Sequence, residues 1–359
     1  MSVLSKTVLE PIVIVCLFTA GCLINRRRDS RSPIDVENRP LVRENGDPST
    51  QSSSLSSSPS LSAVDDSHQR NIVWELLRRF WRKYPFLPEI WYWNLTYWVY
   101  QGLRAVSARL IADNASVFER AKQHALTVLS IEQLLGIDVE LSVQRFFLNN
   151  YPDWMSVLGN IYHSHICVGI AFLVYTYTYL PFPTYQRIRR TIAMDNAVAF
   201  VIVTLWRCSP PRLLPEEYGF VDILHPKVNP NDNPWQNNRF QLTIAAMPSL
   251  HFGTALFFAV SLYRFAPHAV VRVLAPLWPA MMLLTIVTTA NHFLMDAMVG
   301  ACVPLVGWRL EWMVGELAVV QNWVFGPIAR RMGVAGAEEE RARAVPGGKG
   351  MESGKGRMD

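Results

Sequence analysis

Seven apolar runs constrain this chain more than any other feature: residues 7–25, 88–111, 155–180, 192–207, 249–266, 273–290 and 294–318. Most approach the roughly 20 residues that a helix needs to cross a hydrocarbon core. In lipid, backbone N–H and C=O groups must be paired internally, so such runs have to be helical. Composition agrees. Half of the 359 residues are hydrophobic and 18% are charged, against about a quarter charged in soluble domains. The expectation is an all-α polytopic membrane protein. The net charge of +5 is small, and no basic stripe interleaved with aromatics is present, so nucleic acid is not an expected partner. The five cysteines show no CxxC or Cys/His zinc spacing and read as small buried hydrophobes.

The rest of the chain divides around these runs. Residues 1–25 read as an N-terminal membrane anchor, because Arg26, Arg27 and Arg28 follow the apolar run. Residues 26–70, rich in Ser and Pro, cannot bury enough apolar surface to order and read as a disordered linker. Residues 71–87 place Ile72, Leu76 and Phe80 opposite Arg78, Arg79, Arg82 and Lys83, the pattern of a basic interfacial helix. Residues 88–320 form the transmembrane domain. Its first run carries Trp91, Trp93 and Trp98, as at a headgroup boundary. Residues 116–150 read as one or two amphipathic helices, with Glu132, Glu140 and Gln144 on a solvated face. The charged, Gly-rich tail 330–359 reads as disordered.

Charges in the short loops orient the domain. Arg187, Arg189 and Arg190, then Arg264 and Arg272, then Arg330 and Arg331 fall on one side if every run spans, and basic loops stay in the cytosol. Three polar clusters then meet on the opposite face: Arg212, Ser249 with His251, and Asn291-His292 with Asp296.

These residue types suit phosphoryl transfer through histidine. His292 and Asp296 are four apart, hence on one helix face, where a carboxylate can hold one ring nitrogen and leave the other to attack phosphorus. Pro248 and Ser249 suit a helix start whose free N–H groups bind phosphate, and Arg212 supplies a planar fork. A metal site is the nearest rival, since His251, His292 and Asp296 could also ligate, but no HExxH or similar close spacing occurs.

MPSLHFG and NHFLMDAMVG resemble the second and third motifs of the type 2 phosphatidic acid phosphatase superfamily, and are similar to its inositol phosphorylceramide synthase branch. PPRLLPEEYGFVD resembles that branch's first-motif region; SIEQLLGIDVE and GNIYHSHI resemble its upstream segments. The resemblance implies a six-helix membrane core, no cofactor and no metal. It implies an integral membrane phosphotransferase, or a lipid phosphate phosphatase, acting at the lumenal face of an endomembrane (Golgi or endoplasmic reticulum). The donor would be a phosphoinositide or other phospholipid and the acceptor a ceramide-like lipid or water. His292 would form the phosphohistidine, Asp296 would orient it, His251 would protonate the leaving group, and Ser249 and Arg212 would bind phosphate. The chain also departs from the pattern. Leu205 stands where the superfamily has Lys, and Thr285-Ile286 where it has Ser-Arg. Asn291 replaces the first of the synthases' paired histidines. A phosphate-binding arginine is therefore absent from its usual place, with Arg207, Arg190 or His165 as candidate substitutes. A non-catalytic lipid-binding membrane protein is the reading that this gap favours.

Overall fold

The computed structural model describes residues 3–27, 76, 77, 79–223 and 244–332. Its helices are α1 (Val3–Ile24), α2 (Leu87–Ile111), α3 (Ala115–Leu135), α4 (Glu140–Asn150), α5 (Pro152–His163), α6 (His165–Tyr179), α7 (Phe182–Leu205), α8 (Leu250–Phe265), α9 (Ala269–Leu274), α10 (Leu277–Thr288) and α11 (Leu294–Met332). Among the described residues there is no strand, only an isolated bridge between Cys208 and Ala245. The chain divides into two units, Met1–Gly21 with Pro88–Gln321 and Cys22–Leu87 with Asn322–Asp359. Everything below concerns the first. In the second, residues 76, 77 and 79–83 are helical, within the expected interfacial segment. The expected linker 26–70, beyond Arg27, and the tail from residue 333 lie outside the described residues.

By length and composition, Ala269–Thr288 (α9 with α10) and Leu294–Gly315 (in α11) can cross a membrane. The pair α5–α6 adds a third span, bent by 46°. Leu9–Ile24 and Leu250–Phe265 are shorter apolar helices. The other expected runs are helical but carry more polar residues: α2 contains Glu89, Arg104 and Arg109, and α7 contains three arginines and Asp195. The run at 155–180 is not one straight helix. It breaks at Ser164, and the break sets His163 and His165 at the joint between α5 and α6.

Local chemistry explains the ends that matter. α8 starts after Pro248 with Ser249 as N-cap, its side chain accepting from the Phe252 N–H at 3.5 Å. It stops at Ala266, which is extended because Pro267 follows. α10 tolerates Pro279 because the residue sits in the first turn. It ends at Thr288, and two residues on, Ala290, with a φ of 52°, is a buried non-glycine residue in the left-handed region. That costly conformation turns Asn291 and His292 away from the helix axis. The core behind the site joins Ala255 of α8, Met282, Ile286 and Val287 of α10, and Ala297 of α11. Leu305 and Trp312 on α11, Val273 on α9 and Leu277 at the start of α10 stay exposed, the apolar surface a lipid-facing bundle presents.

Candidate active site

Three loops are tied together before any side chain reaches the cavity. The Ala246 N–H donates to the Cys208 carbonyl at 3.0 Å, joining the segment before α8 to the segment after α7. The Arg212 N–H donates to the Ala290 carbonyl at 3.0 Å, joining that segment to the turn after α10. The Ser249 N–H donates to the Asp296 carbonyl at 2.9 Å, joining the start of α8 to the start of α11. α8 and α11 touch backbone to backbone. A Cβ on Gly300 would run into the Ser249 carbonyl, and one on Gly253 into the Gly300 carbonyl. Both glycines belong to the quoted motifs, and this close approach is their physical reason.

The structure brings His251, His292, Arg212, Asn291 and His165 to one cavity of about 410 Å3. The His251 and His292 ring centroids are 6.0 Å apart, so one phosphoryl group can lie between them. His251 stacks on Tyr162 at 4.1 Å and lies 5.3 Å from His165. His292 Nδ1 is 2.7 Å from the Ala246 carbonyl oxygen. A carbonyl only accepts, so Nδ1 carries a proton, and in the neutral ring Nε2 keeps its lone pair. The Asp296 carboxylate, expected to hold this ring, stands 3.7 Å from Nδ1. Its Oδ2 accepts from the Phe293 N–H at 2.9 Å instead. The ring is thus fixed mainly by a backbone carbonyl, with the Asp296 carboxyl group close by.

Arg212 is locked in place. Its Nε donates to Asn291 Oδ1 at 2.8 Å and its Nη1 to Asp222 Oδ2 at 2.6 Å. The Asn291 amide donates in turn to Thr289 Oγ1 at 2.7 Å. Asn291 is therefore a bridge between the first- and third-motif segments, and the free face of the guanidinium is left for an anion.

Ser249, expected to bind phosphate, does not line the cavity. It is fully buried under the Gly253–Gly300 crossing, where its polar atoms serve the α8 cap. Two proposed substitutes for the missing arginine are engaged elsewhere. Arg190 pairs with Glu311 at 3.4 Å, and Arg207 Nη2 donates to Ser107 Oγ at 2.9 Å. Neither lines the cavity, whereas His165 does. Ile286, standing where that arginine is expected, is fully buried in the core.

The solvated face expected for Glu132, Glu140 and Gln144 is corrected by the structure: all three are buried. The Leu294 N–H donates to Glu140 Oε1 and the Met295 N–H to Glu132 Oε1, each at 2.7 Å. With Asp296 on Phe293, three carboxylates satisfy the orphan donors and the positive end of α11. Gln144 exchanges two bonds with the Val221 backbone, at 2.9 and 3.0 Å, which sets the position of Asp222 and so of Arg212. Burial, with added repulsion from Glu140 and Asp296, pushes Glu132 up to about 8, although the Met295 N–H opposes it. Glu140 is raised as well, chiefly by burial. Sequence spacing showed these acids; their distant backbone partners it could not show.

Among the described residues, no group of three or more histidine, cysteine, aspartate or glutamate side chains converges to hold a metal ion. Comparison with curated proteins and with solved structures gives no match. A family model described as PAP2 superfamily matches residues 126–310, a stretch that contains His165, Arg212, His251 and His292. Since that match covers just over half of the chain, the protein belongs to the PAP2 superfamily, as a multi-pass membrane protein of the phosphatase and phosphotransferase type.

Proposed function

We propose that the chain transfers a phosphate-containing headgroup between lipids through a phosphohistidine on His292. The observation that carries this reading is the paired imidazoles: His292, with Nδ1 held by the Ala246 carbonyl, faces His251 across 6.0 Å. His292 Nε2 attacks phosphorus, and the bond from phosphorus to the leaving lipid oxygen breaks. His251, protonated at that stage, gives its proton to that oxygen. In the second half the acceptor hydroxyl attacks the phosphohistidine, its proton passes to His251, and His292 is regenerated. Arg212 binds a non-bridging oxygen throughout. Likeness of the motifs to the inositol phosphorylceramide synthases favours an inositol phospholipid as donor and a ceramide-like alcohol as acceptor, at the lumenal face of an endomembrane. Hydrolysis is the second reading. It uses the same phosphoenzyme with water as acceptor, and Asn291, standing where the synthases carry histidine, favours it.

The purified full chain, given phosphatidylinositol or phosphatidic acid labelled at phosphorus, is expected to trap an acid-labile, alkali-stable label that His292→Ala abolishes. Full turnover by His292→Ala would sink the mechanism. Lipid extracts of cells with and without the chain separate the two acceptors. Loss of an inositol-phosphate sphingolipid marks transfer, and accumulation of a lipid phosphate marks hydrolysis.

A further inference from the structure

The cavity holds a cation that no described residue neutralises. Three arginines line it: Arg104, Arg189 and Arg212. Arg189 is paired with Glu89 at 2.7 Å, and Tyr185 also donates to that carboxylate at 2.6 Å. Arg212 is paired with Asp222. Arg104, half-buried on α2, has no hydrogen bond or ion pair among the described residues. Its guanidinium carbon lies 5.7 Å from the centre of the Tyr100 ring. The same cavity wall holds His163, His165 and His251, which add positive charge whenever they are protonated and none otherwise. Among the described residues the one acid lining it, Glu89, is already taken.

An unpaired guanidinium at the edge of an apolar bundle is expensive unless a counter-charge arrives. It lines the same cavity as Arg212, His251 and His292, the residues that would handle the phosphate. Arg212, meanwhile, has spent two of its donors on Asn291 and Asp222, so it can cover only part of a phosphate's oxygens.

Building on the proposed function, we infer that Arg104 is the second phosphate-binding cation of the site, supplied from α2 in place of the arginine absent before His292. The substrate's phosphate oxygens complete its coordination, and the free protein carries a net positive cavity that draws an anionic headgroup in. Arg104 and Arg212 then grip the phosphate from different helices, while His292 and His251 act on the bonds that form and break.

Orthovanadate, a phosphate mimic that accepts a fifth ligand, is the probe. The full chain in detergent is titrated with it calorimetrically, and turnover of a dioctanoyl lipid phosphate is measured on the same preparations. Arg104→Gln is expected to weaken orthovanadate binding and lower kcat/KM by about ten- to a hundredfold, the range for losing a hydrogen bond to a charged group. Arg104→Lys, which keeps the charge but loses the fork, is expected to recover part of both. Arg109→Gln, an exposed arginine on the same helix, serves as control. Thermal unfolding midpoints equal to the parent's exclude a purely structural loss. If Arg104→Gln binds orthovanadate and turns over lipid like the parent, the Arg104 assignment falls while the proposed function stands. If the parent chain itself neither binds orthovanadate nor acts on any lipid phosphate, the proposed function falls and takes this assignment with it.

Discussion

Taking the imidazole from residue 251 separates its role as an acid from mere packing on Tyr162. A general acid matters in proportion to how badly the leaving group needs a proton. An alkoxide of a glycerolipid needs one; a nitrophenolate does not. His251→Ala is therefore expected to slow phosphoryl transfer from a lipid phosphate by about 10²- to 10⁴-fold. Release of nitrophenol from p-nitrophenyl phosphate should fall far less. Equal losses on the two substrates would show that the residue holds the site together instead of donating a proton. His292→Ala should abolish both, because the nucleophile serves every substrate alike. The residue identities were open to sequence reading, since His251, His292 and Arg212 stand in short motifs. Their partners were not. The carbonyl that fixes His292 belongs to Ala246, 46 residues away, and no property of alanine announces it.

The start of α11 shows what a helix can carry that its own sequence does not. Leu294 and Met295 offer bare N–H donors, and the acids that meet them lie 154 and 163 residues earlier. From sequence alone, Glu132 and Glu140 look like ordinary polar positions on amphipathic helices, because burial by a distant element leaves no local mark. Their crowding has a consequence for stability. Glu132 is raised by burial to about 8 from an ordinary value near 4.5. Between those values the folded chain holds a proton that the unfolded chain has released. Linkage then makes this site's contribution fully present below about pH 4.5 and progressively lost as pH rises through about 8. Glu132→Gln fixes the neutral form and keeps an oxygen for the Met295 N–H. The thermal unfolding midpoint of the variant, relative to the parent, should therefore rise as pH climbs from 5 toward about 8. Parallel curves would show that Glu132 is not protonated in the folded state. The break at Ser164 escaped sequence reading for a related reason: hydropathy runs on through 155–180 whether the helix is straight or bent by 46°.

At the scale of the molecule, the helices sort charge to two ends. Arg212, His251 and His292 sit where α7 ends and α8 and α11 begin. Arg187 and Arg190, early in α7, pair with Glu311, well along α11, at 3.5 and 3.4 Å. α7 and α11 run between these two clusters, so a membrane crossed along the candidate span of α11 would leave them toward opposite faces. Loop charges alone point to two opposed faces, but they carry no sign that an acid on α11 receives two of those arginines. The arrangement makes a prediction about sides. Leu213, exposed beside Arg212, marks the catalytic end, and Val270, exposed on α9 just past Arg264, marks the other. In a cysteine-free background of the full chain, Leu213→Cys and Val270→Cys are placed singly and challenged in sealed microsomes with a membrane-impermeant maleimide. Val270→Cys should label at once from the cytosolic side, and Leu213→Cys only after detergent opens the vesicles. The reverse order would keep the two-ended architecture and put the chemistry in the cytosol. Labelling of both without detergent would mean that α8 does not carry the chain across, and the opposed-face arrangement would have to be abandoned.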